Sequence, residues 1–179
     1  GELHCLVEHT GAYRAGEPIF REGEPFNAIA AVRAGTVKTY VIDAEGREQG
    51  NEFRISTSHL DDQEDASVTA LADGGFLVAW NDVAGGVYGQ MFSESGEREG
   101  PEIRLNNTVG NQSNPTITGL SDGGFVAVWD HSPGGVPGVY AQRFNSDGLP
   151  IGNEFLVVNN AGVPDLSELS DGRLVFSWS

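Results

Sequence analysis

The chain has 179 residues, with 26 acidic against 10 basic side chains and a formal charge of −16 at pH 7. That length carries one domain or two small ones with a real core. The acidity argues against duplex DNA or an anionic lipid surface as partner, because phosphate binding needs Lys and Arg; it leaves divalent cations open. No run of roughly 18 apolar residues occurs, which excludes a helical membrane span. Positions 1–10 lack the basic start and apolar stretch of a signal peptide. Cys5 stands alone, so there is no intrachain disulfide, and one thiol is no metal site.

The first 49 residues hold 8 acids against 5 bases, whereas the remainder holds 18 acids against 5 arginines. His4 and His9, five apart beside Cys5 and Glu8, form a weak candidate metal cluster, and the preferred reading is a packed or disordered start. AIAAV then turns at RAG into TVKTYVID, which turns at AEG, so two hairpins are predicted. Gly16, Phe20, Gly23, Glu24, Val32, Gly35, Val37, Lys38 and Tyr40, followed by Asp43, Gly46, Glu48 and Gln49, form a specific pattern over about 40 residues. In it the segment resembles the opening of the sensor β-roll of Crp/Fnr transcription regulators. The resemblance covers the first half of that β-roll. Its later phosphate-binding segment, the cysteine cluster of the oxygen-sensing branch, the dimer helix and the helix-turn-helix have no counterpart. What it implies is a truncated sensor fragment that binds neither effector nor DNA.

Residues 50–179 repeat. Asp73, Asp122 and Asp171 each open a turn, and Trp80, Trp129 and Trp178 close the strand that follows; both sets step by 49. VYGQMFSESGEREGPEIRLN (87–106) returns as VYAQRFNSDGLPIGNEFLVV (139–158). Each unit reads as four antiparallel strands, for example EIRLN, TITGL, FVAVW and VYAQRF, with Asp-Gly turns between them. Phe125, Ala127 and Trp129 alternate with Val126 and Val128, so that strand is apolar on both faces and is expected between two neighbours. The units are set at 50–99, 100–151 and 152–179. A period near 50 with four strands per unit predicts an all-β, propeller-like stack of antiparallel four-stranded repeat units with an N-terminal β-hairpin segment. The phrases LSDGGFVAVW and GVYAQRFNSDG resemble the tandem repeats of large secreted bacterial proteins that accompany RTX calcium-binding repeats. The RTX nonapeptide itself is absent, so no calcium ligands are carried over. The two resemblances imply different compartments, secreted for the repeats and cytoplasmic for the first 49 residues, and suggest a chimeric or engineered chain.

The junction is in register. VKTYVIDAEGREQGNEFRIS lies beside VYGQMFSESGEREGPEIRLN with turn on turn. The last unit holds three of its four pieces, and the N-terminal strand is of the right kind to complete it, within one chain or between copies in a strand-swapped homo-oligomer.

Candidate chemistry is sparse. Asp61, Asp62, Glu64 and Asp65, beside His59, make an oxygen-rich loop that is a weak Ca²⁺ candidate. Trp80 with Asp82, and Trp129 with Asp130 and His131, end equivalent strands before Gly-rich loops. They form a candidate ligand rim where Trp and Asp suit a sugar, or else Trp fills the gap between sheets. Asp73, Asp122 and Asp171 read as turn formers. No nucleophile motif occurs, and the pairs Glu48/Glu52 and Glu97/Glu99 fall in exposed turns with nothing to desolvate them. No catalytic residue and no cofactor are assigned. The expectation is a non-enzymatic structural or binding module, with an extracellular carbohydrate- or calcium-binding module and a truncated Crp/Fnr-type sensor fragment as the alternatives.

Overall fold

The computed structural model describes residues 38–42, 48–57, 63–82, 86–108, 110–132 and 136–179; for 38–42 and 48–52 the backbone alone is considered. Five turns of one design set the strand spacing. At Leu71, Ser93, Leu120, Asn145 and Leu169 the backbone N–H donates to the carbonyl four residues on, and the N–H of a glycine three residues on donates back. Those glycines, 74, 96, 123, 148 and 172, have φ between 74° and 93°, the left-handed conformation that closes a type I turn with a one-residue bulge. In the three DG turns the Asp side chain braces the corner: Asp73, Asp122 and Asp171 each accept the N–H two residues on, at 2.9, 3.1 and 3.1 Å.

Among the described residues there are twelve strands and no helix. β1 (Lys38–Ile42) and β2 (Glu48–Arg54) form an N-terminal hairpin. β3 (Gln63–Ala70), β4 (Phe76–Asp82), β5 (Gly86–Phe92) and β6 (Arg98–Arg104) form sheet I. β7 (Asn111–Gly119), β8 (Phe125–Ser132), β9 (Gly138–Phe144) and β10 (Pro150–Asn159) form sheet II. β11 (Asp165–Glu168) and β12 (Leu174–Ser177) form a C-terminal hairpin. Among the described residues all pairing is antiparallel between sequence neighbours. The phase differs from units at 50–99, 100–151 and 152–179. EIRLN does not open a sheet; as β6 it closes the sheet of the preceding strands, because the SESG turn folds it back onto β5. The break between sheets falls between Arg104, where β6 ends, and Asn111, where β7 begins.

The sheets stack face to face through their first strands. Ile117 and Gly119 of β7 donate to the Ser67 and Thr69 hydroxyls of β3, at 3.3 and 3.0 Å. Thr116 and Thr118 of β7 donate their hydroxyls to the Pro164 and Leu166 carbonyls, at 3.0 and 2.9 Å. Apolar side chains fill the gaps. Phe125, Ala127 and Trp129 share a core cluster with Leu77 and Ala79 of sheet I and with Leu105, just past β6, and Val126 and Val128 share one with Leu166, Leu174 and Phe176. β8 is therefore buried on both faces, as its unbroken apolar run requires. Two carboxylates clamp the inter-sheet loops: Glu102 accepts the Thr57 N–H, and Glu154 accepts the Asn107 N–H and the Thr108 hydroxyl.

The N-terminal hairpin reproduces the sheet pattern. Lys38↔Arg54, Thr39↔Phe53, Val41↔Gln49 and Ile42↔Glu48, with a bulge between Thr39 and Val41, repeat Tyr88↔Arg104, Gly89↔Ile103, Met91↔Glu99 and Phe92↔Arg98, with a bulge between Gly89 and Met91. The hairpin packs on sheet I. Phe53 lies 5.3 Å from Phe92 between ring centroids, and the Arg98 guanidinium donates to the Arg54 carbonyl at 2.7 Å. Ring closure of a propeller is not found: the two hairpins are separate two-stranded sheets.

Candidate functional site

The ends of β3, β4, β7 and β8 gather the polar residues. The pairing of β3 with β4 slips between Glu64 and Ser67, and that of β7 with β8 slips between Ser113 and Thr116. Within each slip one residue turns left-handed: Asp65 at φ 51° and Asn114 at φ 48°. The equivalent residue before β11 is Val163, at φ 47°. Asp and Asn tolerate this conformation because a short polar side chain bonds locally. Each then holds a partner on the next strand. Asn81, with its amide turned to match its neighbours, donates to Asp65 Oδ2 at 3.1 Å and to the Glu64 carbonyl at 2.9 Å. Asn114 Nδ2 donates to Asp130 Oδ2 at 2.6 Å. The acid and the amide have exchanged strands between the repeats while the pair persists. The Asn114 N–H reaches back to Asp65 Oδ2 at 3.4 Å and links the two pairs. Asp130 Oδ1 is buried without a hydrogen-bond partner among the described residues.

The tryptophans lie inside. Trp80 is 2% and Trp129 0% exposed, so neither offers a ring face to a sugar. Trp80 stacks on Tyr88 of the next strand at 6.5 Å between ring centroids, and Trp129 pairs in backbone register with Tyr140 of the next strand. Period-2 alternation decides this, because it puts Trp129 on the face of Phe125 and Ala127. His131 is 2% exposed. Its Nδ1 faces Gln112 Nε2 at 3.0 Å, an amide that also donates to the Thr108 carbonyl at 3.1 Å. Nδ1 is therefore the acceptor and the ring proton sits on Nε2, which is buried with no partner among the described residues. Asp82 is half-buried, opposite Gln63.

Of the weak calcium candidates, Glu64 is exposed and Asp65 is engaged as above, while Asp61 and Asp62, with His59, lie outside the described residues. Among the described residues no group of three His, Cys, Asp or Glu is placed to hold a metal. His4, Cys5, Glu8 and His9 also lie outside them. Glu97 and Glu99 are exposed. Asp122 carries a pKa below its ordinary 3.8. The Gly124 N–H bond to its carboxylate is the main cause, and the Arg143 guanidinium, bonded to it, assists. Two elements were missed in the sequence. One is the Asp/Asn exchange, which the 49-residue spacing of 65, 81, 114 and 130 carried. The other is the glutamine at 90 and 142: Gln90 Nε2 donates to the Met91, Glu99 and Gly100 carbonyls, and Gln142 Nε2 to those of Arg143 and Ile151. Each pins an outer strand at its bulge.

The profile of the cyclic nucleotide-binding domain family matches residues 11–79. The match takes in the segment that resembles Crp/Fnr regulators and runs on into β4. Electron transport regulator A of Shewanella oneidensis is 34% identical over 55 residues, 31% of this chain and 22% of the relative. The anaerobic regulatory protein of Pasteurella multocida is 33% identical over 54 residues, 30% of this chain and 20% of the relative. The transcriptional activator protein anr of Pseudomonas aeruginosa is 38% identical over 53 residues, 30% of this chain and 22% of the relative. The chain thus spans about a fifth of the length of these curated relatives.

Proposed function

We propose that the chain is a non-enzymatic β module in which a Crp/Fnr-type sensor segment is continued by repeat sheets, and that it works through protein contacts without binding a nucleotide effector. The observation that carries this is the N-terminal hairpin. Its strands keep the pairing and the bulge of β5–β6 and lie on sheet I, so sensor-type strands serve as repeat-type strands. The relatives bear the names of regulatory proteins, which favours a binding role over a catalytic one. The face-to-face stacking through β3, β7 and β11 supports reading the sheets as propeller-like blades. The wording of LSDGGFVAVW and GVYAQRFNSDG supports a kinship of the repeats with RTX-associated architecture, and the change of charge near residue 50 supports a fusion of two sequence types.

Calorimetric titration with cyclic AMP tests the reading, because the phosphate-binding half of the sensor β-roll has no counterpart in this sequence. The expected result is no saturable heat. A stoichiometric binding isotherm overturns it. A second reading keeps the rim at Trp80, Asp82, Trp129, Asp130 and His131 as a ligand site. The buried, unpartnered Asp130 Oδ1 favours a cation there, and with the indoles buried a sugar is disfavoured. A saturable thermal stabilisation by Ca²⁺ that Asp130→Asn abolishes is its signature, and identical melting curves with and without Ca²⁺ end it.

A further inference from the structure

Three buried polar atoms at one end of sheet II have no hydrogen-bond partner among the described residues: Gln112 Oε1, Trp129 Nε1 and His131 Nε2. Their residues are 3%, 0% and 2% exposed. Gln112 and His131 are opposite each other across β7 and β8, and their side chains are joined at 3.0 Å. Trp129 precedes His131 by two residues, so both leave β8 on the same face. Asp130 Oδ1, also unsatisfied, belongs to the other face and takes no part.

Sheet I shows which group is missing. Gln63 stands there in the place of Gln112, 49 residues earlier, and its Oε1 accepts the Ser56 hydroxyl at 2.9 Å. Ser56 follows the buried Ile55 as Asn106 follows the buried Leu105. Asn106 offers Gln112 no hydrogen. Its Oδ1 accepts the Val87 N–H at 2.9 Å, and its Nδ2 donates to the Thr108 carbonyl at 2.9 Å. The same carbonyl accepts from Gln112 Nε2 at 3.1 Å. A carbonyl can only accept, so it fixes the amide with Nε2 towards it and turns Oε1 away. The hydroxyl that satisfies Gln63 in sheet I thus has no protein counterpart at Gln112.

The demands on the missing group have both signs. Gln112 Oε1 needs a donor, whereas His131 Nε2–H and Trp129 Nε1–H need an acceptor. A cation would face two N–H groups and an anion would face the amide oxygen, so neither suits the set. The space is also narrow. A Cβ on Gly110 would stand 2.8 Å from His131 Cε1, the ring atom between the two nitrogens, and Tyr140 meets the imidazole edge-on at 5.4 Å between centroids. We propose that one buried water molecule bridges Gln112 Oε1 and His131 Nε2, with Trp129 Nε1 as its third partner. It donates to the amide oxygen and accepts from the two ring N–H groups, the roughly three bonds usual for an internal water. The water does in sheet II what the Ser56 hydroxyl does in sheet I. It ties the linker held by Asn106 and Thr108 to the ends of β7 and β8, and it holds His131 in the Nε2–H tautomer.

A high-resolution crystal structure of the unaltered chain reads the site, and NMR of the chain labelled with ¹⁵N-histidine reads the proton. The expected density is one solvent peak within about 3.2 Å of both Gln112 Oε1 and His131 Nε2. The expected spectrum shows a slowly exchanging proton on His131 Nε2, assigned by its loss in His131→Phe, with a cross-relaxation peak to water. Density in which both atoms are bonded to protein groups, or in which no solvent peak lies between them, overturns the proposal. A ring proton found on Nδ1 overturns it as well, because Nε2 would then have no hydrogen to give. Both measurements use the unaltered chain, so neither depends on a variant that folds.

Discussion

Gly119→Ala isolates the contact that holds sheets I and II together. Gly119 sits at the end of β7, and its N–H donates to the Thr69 hydroxyl at 3.0 Å. A Cβ there would stand 2.1 Å from the Ala70 carbonyl oxygen and 3.3 Å from its carbon. The obstacle is backbone in a paired strand, so no side chain can swing aside. Restoring an ordinary carbon–oxygen contact moves the two strands apart by roughly 1 Å. That shift strains or breaks the bonds from Gly119 and Ile117 to sheet I and loosens the interface around Phe125 and Trp129. Overpacking costs about 1–3 kcal/mol, and lost hydrogen bonds add about 1 kcal/mol each. We expect destabilisation of about 3 kcal/mol, or roughly 6–12 °C in Tm for a domain of this size. Urea unfolding followed by fluorescence of the buried Trp80 and Trp129 measures it. Gly100→Ala is the control, because Gly100 has φ 67° but open space around it; strain alone there costs about 1 kcal/mol. If Gly119→Ala proves no more harmful than Gly100→Ala, the first strands do not approach as described, and the stacking argument fails.

Val163 is a β-branched residue at φ 47°, where the equivalent positions hold Asp65 and Asn114. Val163→Asn should stabilise by about 1 kcal/mol through relief of left-handed strain, read as a higher urea midpoint at unchanged slope; a lower midpoint would show that packing by the valine outweighs the backbone term. Asp122 has its pKa lowered from 3.8, first by the Gly124 N–H and further by Arg143. Its ionised form is the one the fold favours, so its contribution is present above about pH 4 and is lost as pH falls through the lowered value. Melting curves of the unaltered chain and of Asp122→Asn should therefore converge below pH 4, and a gap that stays constant from pH 7 to pH 2 would refute this.

The fold class was legible because period and turn chemistry agree. DG turns at a step of 49 and an apolar run on both faces of β8 require stacked antiparallel sheets. The phase of those sheets was not legible. SESG and SDGG look alike as turns, and one strand order satisfies both groupings. What decides it is the fold-back of β6 onto β5, which ends sheet I before β7 begins at Asn111. The burial of Trp129 followed from alternation, yet the aspartate and histidine beside it drew the reading towards a ligand rim. The Asp65/Asn81 and Asn114/Asp130 pairs were hidden because left-handed residues inside a strand leave no pattern in one repeat. They stand out only when two repeats are laid together. One orphan has a direct cause: Arg98 donates to Gln90 Oε1 at 3.1 Å, while the equivalent Pro150 has no donor and Gln142 Oε1 is unsatisfied.

The central claim is that the sensor-type hairpin and the repeat sheets form one packed structure. A double-mutant cycle on Phe53 and Phe92, whose rings meet at 5.3 Å and 56°, tests it most directly. Stabilities of Phe53→Ala, Phe92→Ala and the double variant, taken from urea unfolding, give the coupling between a residue of β2 and one of β5. The account predicts a coupling of about 1 kcal/mol, in the range of buried aromatic pairs. Strict additivity would mean that the hairpin does not lie on sheet I, and the continuity of the two parts would be contradicted.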